Sequence, residues 1–340
     1  MKICKNCFVD VEMQAAVCNE SDTKGICEVC GQEGRLLDIG YFSDFFEEVL
    51  ALFEPSETGT RIADLVQQDW DIFSSVEIGT KVLSYFLSLK DYGYSVDDNV
   101  SYSALMEDKL NVWNVVKKQV RESRRFFADL LAFDEMNLME SNASILEGSI
   151  FYRARVIPSG VKELSTKEMS CPPNNKATAG RANPLGIPYL YLCQDEETTY
   201  YEVRALYLDR LSVAQFRVKE NLDILDFTSK LSLYVAFSNA TETLSDVIVK
   251  QKLLQAISHD LSKPLRRYDT ELEYVPTQLI CEYCKLNGID GIRFESSLHK
   301  GGINLVLFDA NKADCISVVS KEIKKALIPQ HYNLTLFISS

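Results

Sequence analysis

Hydrophobic and polar residues follow two different rhythms along this chain, and the change from one to the other divides it. From about Tyr41 to Glu140 apolar positions recur at helical spacing: Phe42, Phe45, Phe46, Val49, Leu50 and Phe53, then more loosely Ile62, Leu65, Trp70 and Phe73, then Val82, Leu83, Phe86 and Leu87. Residues three and four apart share one face of a helix, so these sets predict an all-helical domain with the aromatics in a bundle core. Val112, Val116, Val120, Phe127 and Leu131 predict one longer helix, with Lys117, Lys118, Arg121, Arg124 and Arg125 on or near its polar side. That basic run reads as a solvated face, with a docking surface as the other reading.

Past a mixed polar linker at 135–148 the rhythm shortens. Phe151–Arg155, Tyr189–Cys193, Leu222–Phe227, Gly291–Phe294 and Ile303–Phe308 predict strands, while helical spacing returns near Leu244–His259 and Thr277–Leu286. The class is therefore α+β. The predicted segments are 1–38, 39–148, 149–325 and a tail at 326–340. There is no internal repeat or low-complexity tract.

Composition sharpens this in three ways. With 340 residues, 46% of them hydrophobic, the chain is long enough for two or three cored domains. Its 36 basic and 49 acidic residues leave a net charge of −13, which argues against general binding to nucleic acid or to an anionic membrane. With no signal-peptide pattern and no apolar run able to span a bilayer, the expected compartment is the cytoplasm. The ten cysteines are then thiols or metal ligands rather than a disulfide framework.

Four cysteines have metal-ligand spacing. Cys4-x2-Cys7 and Cys27-x2-Cys30 are separated by 19 residues, the arrangement of two knuckles closing on one tetrahedral Zn²⁺. Four thiolates leave no open coordination position, so the predicted zinc ribbon is structural rather than catalytic. Cys18 between the pairs reads as a spare thiol or a substitute ligand. Glu12, Glu20, Asp22, Glu28 and Glu33 favour docking of the ribbon against protein over nucleic acid. The later pair Cys281-x2-Cys284 has no companion pair, and on a helix it reads as packing.

Most of the functional signal lies between Ala177 and Arg204. A loop punctuated by Gly180, Pro184 and Gly186 offers Arg181, a fork suited to phosphate or carboxylate, and it leads into an apolar strand and then a helix carrying Glu202. Glu202 is expected early in that helix, near the positive end of the macrodipole. A cation and a carboxylate at one end of a strand suit a ligand bearing both charges; the bland alternative is that Arg181 and Glu202 pair only with each other.

Gly180-Arg181-Ala182-Asn183-Pro184-Leu185-Gly186, then Tyr191-Leu192, then Glu202 resembles the RES-domain family, named for an arginine, a glutamate and a serine. Phe151-Tyr152-Arg153-Ala154-Arg155 resembles its opening strand. Asp290 to Ser297 and Gly301 to Phe308 resemble its serine-bearing and closing strands, so the resemblance spans roughly 149–325. Two departures, Ala182 where members carry an aromatic and Glu295 where many carry proline, bear on substrate fit. The helices before it resemble HEPN-related domains. His259, His299 and His331 all lie outside that helical region, so ribonuclease activity by the HEPN route is unsupported.

The resemblance implies an ADP-ribosyltransferase-like fold acting on NAD⁺. It implies that Glu202 steadies an oxocarbenium-like ribose, that Arg153 and Arg181 hold the pyrophosphate or an incoming inorganic phosphate, that Tyr191 lies near nicotinamide, and that Ser296 fixes substrate or acceptor. Arg155, on the same strand face, is the alternative to Arg153, and Ser297 to Ser296, which could otherwise be only a turn cap. Three functions stay open: a toxin-like NAD⁺ glycohydrolase or phosphorylase, a protein ADP-ribosyltransferase, and a silent interaction module. The family resemblance also implies an antitoxin or other inhibitory protein partner. The N-terminal region is read as a gate, a sensor or a surface for homo-oligomerisation.

Overall fold

The computed structural model describes residues 1–21, 23–138, 142–229, 232–239, 242–263, 271–325 and 327. Asp22, His331 and, apart from 327, the expected tail at 326–340 lie outside the described residues. The chain divides into two compact units, Met1–Val112 with Lys230–Lys252, and Trp113–Ser229 with Leu253–Ser340. Among the described residues no helix is long and apolar enough to cross a membrane.

The first unit opens with a three-stranded antiparallel sheet, β1 (Lys2–Ile3), β2 (Thr23–Ile26) and β3 (Glu33–Asp38), with β3 in the middle. Helix α1 (Val11–Glu20) starts where the Asp10 carboxylate accepts from the backbone of Glu12 and Met13, both at 3.0 Å. Next come α2 (Ser43–Leu50), β4 (Phe53–Arg61), α3 (Ile62–Trp70), α4 (Val76–Leu87), β5 (Asn99–Tyr102) and α5 (Ala104–Leu110). The expected aromatic core is present. Phe8, Phe42, Phe46 and Phe73 are fully buried, Phe46 stacks on Phe86 at 4.7 Å, and each such side chain contributes about 1.5–3 kcal/mol by leaving water. Gly79 lets α4 approach this core, since a Cβ there would lie 2.8 Å from the Phe73 ring.

The region expected to be all-helical also holds a two-stranded antiparallel sheet, β4 with β5. Residues 54–61, EPSETGTR, carry a proline that cannot continue a helix and no apolar stripe, and they pair with β5 across a register shift between Pro55 and Thr60. Phe73 falls outside α3, because Asp71 turns left-handed (φ 48°) and ends the helix; Phe73 instead bridges Phe8.

The long helix expected over Val112–Leu131 is two. Helix α6 (Val112–Glu122) and α7 (Leu131–Glu135) are separated by a non-helical stretch in which Phe126 and Phe127 are more than 80% exposed. Adjacent Arg124 and Arg125 add like charge where the helix would continue, and the Asp129 carboxylate accepts from Leu131 N (3.1 Å) in the turn that leads into α7. The basic run is only partly a solvated face: Lys117 pairs with Asp260 at 2.9 Å and Arg121 with Glu273 at 2.9 Å.

The second unit is built on eight strands: β6 (Asn142–Ile145), β7 (Ile150–Val156), β8 (Leu190–Cys193), β9 (Arg210–Val218), β10 (Leu222–Asp226), β11 (Gly291–Glu295), β12 (Ile303–Leu307) and β13 (Ala313–Glu322). They lie in the order β13-β9-β7-β8-β12-β11-β10-β6, antiparallel except for β10 with β11. Helices α8 (Thr166–Met169), α9 (Glu196–Glu202), α10 (Leu233–Asn239), α11 (Leu244–Ser262) and α12 (Val275–Leu286) complete the chain, with α10 belonging to the first unit. Phe151, Leu190, Leu192, Phe216, Ile224, Leu305 and Leu307 form the core on one side of the sheet. These are the apolar runs that predicted strands, and alternate positions leave Tyr191 and Asn304 for the other face.

Candidate active site

Strand β8 ends at Cys193 and helix α9 begins three residues later, because the Asp195 carboxylate caps it: Oδ1 accepts from Thr198 N at 2.8 Å and Oδ2 from Thr198 Oγ1 at 2.6 Å. Glu196 and Glu197 occupy the favourable first turn, and the helix is only seven residues long. Glu202 is therefore its last residue. This corrects the expectation that Glu202 sits early in the helix, since at the C-terminal end the macrodipole opposes the anion. Hydrogen bonds supply what the dipole does not: Ser296 Oγ donates to Glu202 Oε1 at 2.6 Å and Asn304 Nδ2 donates to the same oxygen at 2.8 Å. The helix stops where Arg204 turns left-handed at φ 50°.

Ser296 is nearly fully buried and takes the turn-cap role that the sequence left open, adding a bond to Glu202 that the sequence did not suggest. Its hydroxyl donates to Glu202 while accepting from the backbone N–H of Leu298 and His299, each at 3.1 Å, so it caps a turn and holds the carboxylate at once. Ser297 does not exchange with it; its hydroxyl donates to the Ser262 carbonyl. Asn304 was not anticipated. It lies opposite Cys193 in the sheet, and the Cys193 thiol donates to its Oδ1 at 3.3 Å, which turns the amide nitrogen toward Glu202. The available signal was an asparagine inside the apolar run Ile303–Leu307, where a buried amide needs partners.

Glu202 opens on a cavity of about 720 Å³ in the second unit. Arg153, Arg155, Lys176, Arg181, Arg204 and Lys263 line it, and Glu202 is the one carboxylate among the lining residues. Arg153 Nη1 is buried with no hydrogen-bond partner among the described residues. Burial, and after it the neighbouring Arg155, push the Arg153 guanidinium down to about 10, so it stays charged at neutral pH. Arg155 shares its strand face, as expected, but donates to the Ser170 carbonyl at 2.9 Å. Among the described residues Arg181 forms no ion pair with Glu202: it donates to the Asp260 carbonyl at 2.9 Å and lies over the Tyr274 ring at 5.3 Å.

The loop before β8 is held by amides. Tyr191 donates its phenol to Asn183 Oδ1 at 2.8 Å and accepts from Ala182 N at 3.2 Å, and burial drives its ionisation well above the ordinary tyrosine range. Asn183 Nδ2 in turn reaches the carbonyls of Thr178 and Ile187, while Gln278 and Thr277 from α12 bind the carbonyls of Gly180, Arg181 and Asn183. Gly180 is required, since a Cβ would stand 2.6 Å from Asn183 Oδ1 and 2.8 Å from the Tyr191 oxygen.

A family model described as the RES domain matches residues 150–335. The chain belongs to the RES-domain family. None of the curated proteins matches it. Among solved structures it is similar to a chain of the M. tuberculosis MbcT–MbcA toxin–antitoxin complex, at 15% identity and TM-score 0.32, over 55% of this chain and 91% of that one. Within the RES domain, the two departures from the family pattern fall at different depths: Ala182 is fully buried, and Glu295 is exposed with its carbonyl accepting from Ser262.

The first unit holds the metal-ligand candidates that precede the RES domain. Cys4, Cys7, Cys27 and Cys30 bring their sulfurs within 4.8 Å of one another, with Cys4–Cys30 at 3.5 Å and Cys7–Cys27 at 3.6 Å. Tetrahedral Zn–S bonds of about 2.3 Å give sulfur–sulfur edges of about 3.8 Å, so the set fits Zn²⁺. Tight turns build each knuckle: Cys7 N bonds Cys4 O, and Gly31 N bonds Cys27 O with Gly31 left-handed at φ 75°. Cys18 stands on α1 outside the group, and Cys281 and Cys284 are fully buried in α12.

Proposed function

We propose that the RES domain binds NAD⁺ in this cavity and breaks its nicotinamide–ribose bond. The observation that carries the reading is the single carboxylate, Glu202, pinned through Oε1 by Ser296 and Asn304 on the wall of an otherwise cationic cavity. Loss of nicotinamide leaves positive charge on the ribose, and a fixed carboxylate interacts with that charge more strongly in the transition state than in the ground state. With Oε1 occupied, Oε2 is the oxygen left for a ribose hydroxyl or the developing cation. Arg153, with its unpartnered buried nitrogen, would hold the pyrophosphate or an incoming inorganic phosphate, and Arg181 stands on the same cavity wall. Tyr191 would present its ring while its hydroxyl holds the loop. Zn²⁺ on the four cysteines would be structural. As family membership suggests, the activity would be toxin-like and restrained by an inhibitory protein partner.

Purified protein incubated with NAD⁺, with and without phosphate, tests this by product mass. Nicotinamide with ADP-ribose means hydrolysis, ADP-ribose phosphate means phosphorolysis, and mass added to a macromolecule means ADP-ribosyl transfer. Glu202→Ala should remove all turnover while leaving the melting temperature near wild type. A folded Glu202→Ala protein that still consumes NAD⁺ would sink the mechanism.

A further inference from the structure

Among the described residues, side-chain hydrogen bonds join helix α9 to the turn after β11 at two places. One is the Glu202–Ser296 contact. The other is Thr198, fully buried, whose Oγ1 lies 2.8 Å from His299 Nδ1. The Thr198 hydroxyl has one proton, and it goes to Asp195 Oδ2 at 2.6 Å, because a carboxylate can only accept. His299 Nδ1 must therefore carry the hydrogen that closes the contact. The ring is either the neutral Nδ1–H tautomer or the imidazolium.

The surroundings fix this arrangement. The His299 ring lies flat on Tyr201, centroids 4.6 Å apart and planes 4° from parallel. Its backbone N–H donates to Ser296 Oγ and its carbonyl accepts from Gly302 N at 3.0 Å. Gly302 is where the turn meets the helix: a Cβ there would stand 2.5 Å from Thr198 Oγ1 and 3.0 Å from His299 Nδ1. His299 does not line the cavity, so it touches no reacting atom.

We infer that His299 is a positioning residue: acting through Thr198 and Asp195, it locks the Ser296–Gly302 turn onto α9 and so keeps Ser296 Oγ on Glu202. This rests on the NAD⁺ reading above, and the test separates the two. Asparagine places its amide nitrogen where Nδ1 stands, whereas glutamine places its own where Nε2 stands. His299→Asn should keep kcat near wild type, while His299→Gln, His299→Leu and Thr198→Val should lose about 10- to 100-fold in kcat with KM changed less than about twofold. Equal loss in His299→Asn and His299→Leu, or a fully active His299→Leu, would overturn the inference. Should the wild-type protein leave NAD⁺ untouched, the functional reading fails and nitrogen-15 NMR of the imidazole still decides the linkage. A ring that carries hydrogen on Nδ1, neutral or imidazolium, upholds it, and a neutral Nε2–H ring ends it.

Discussion

Glu202 shows how one side chain's setting is divided between its own element and others. The end of α9 gives it an unfavourable dipole, and two donors from the neighbouring strand and turn reverse that. Removing one donor should be felt in the chemistry and barely in the fold. Asn304→Ala is expected to cost about 1.5–3 kcal/mol of transition-state stabilisation, or roughly 10- to 150-fold in kcat, with KM near wild type. A rise in KM at unchanged kcat would assign Asn304 to substrate binding instead. Gly180→Ala works the other way. A methyl group 2.6 Å from Asn183 Oδ1 has to displace the loop, with an expected stability loss of about 1–3 kcal/mol and a raised KM, read by calorimetry and steady-state kinetics. At this scale the sequence named Arg153, Arg181, Tyr191, Glu202 and Ser296, all of which converge on the cavity or its supports. Asn304, Asn183 and Gln278 were given no role because a buried amide is recognised by its partners, which the chain brings together from far apart.

Elements with one strong rhythm were legible from the sequence. Strands β7, β8, β11 and β12 and helices α11 and α12 stand where apolar runs or helical spacing put them, because burial on a fixed face decides both. The long helix was not legible, since Phe127 and Leu131 continue the apolar spacing of α6 while pointing into solvent. Burial of Trp113, Val116 and Val120 holds α6, and polar contacts add to it. Trp113 Nε1 and Lys117 Nζ both donate to Asp260 Oδ2, at 2.8 and 2.9 Å. Burial alone would raise the Asp260 carboxyl, but hydrogen bonds from Lys117 and Trp113, helped by the Lys117 charge, hold it below the usual carboxylate range. Its folded value lies below its unfolded one, so this contribution is complete above a pH of about 4 and fades as pH falls through the folded value. Asp260→Asn should cost about 1–3 kcal/mol at neutral pH and flatten the acid limb of a stability-against-pH curve; an unchanged acid limb would remove Asp260 from the account. The zinc knuckles carry a separate prediction. Mass spectrometry under native conditions should find one Zn²⁺ per chain, and a chelator should lower the melting temperature. Cys27→Ser should do the same, and a metal-free protein of unaltered stability would count against the site.

For the whole molecule the decisive feature is that the units exchange segments. Residues 113–138, expected with the N-terminal helices, belong to the RES unit, where Trp113 is fully buried and Arg121 pairs with Glu273. Residues 230–252, from inside the RES match, belong to the first unit, where Tyr234 packs on Phe42 and Phe45 and Phe237 on Phe45. A fragment beginning near Glu147 would thus lose the cover supplied by Trp113 and leave Tyr234 and Phe237 without partners. It is expected to aggregate or melt well below the full chain, whereas a soluble fragment of full stability would make the RES match an autonomous domain. Sequence boundaries followed changes of rhythm, which mark where elements differ rather than which core they join.

The sheet order has a consequence for synthesis. Strand β12 lies between β8 and β11, so the interior of the sheet receives one of its strands only after β6 to β11 have been made. Asn304 arrives with that strand, and the serine that completes the carboxylate's setting precedes it by a few residues. A nascent chain still held in the ribosome up to this point has the glutamate but neither of its two donors in place. The cavity's carboxylate is therefore set only once β12 has been made, and the stretch of chain before that strand is a precursor without it.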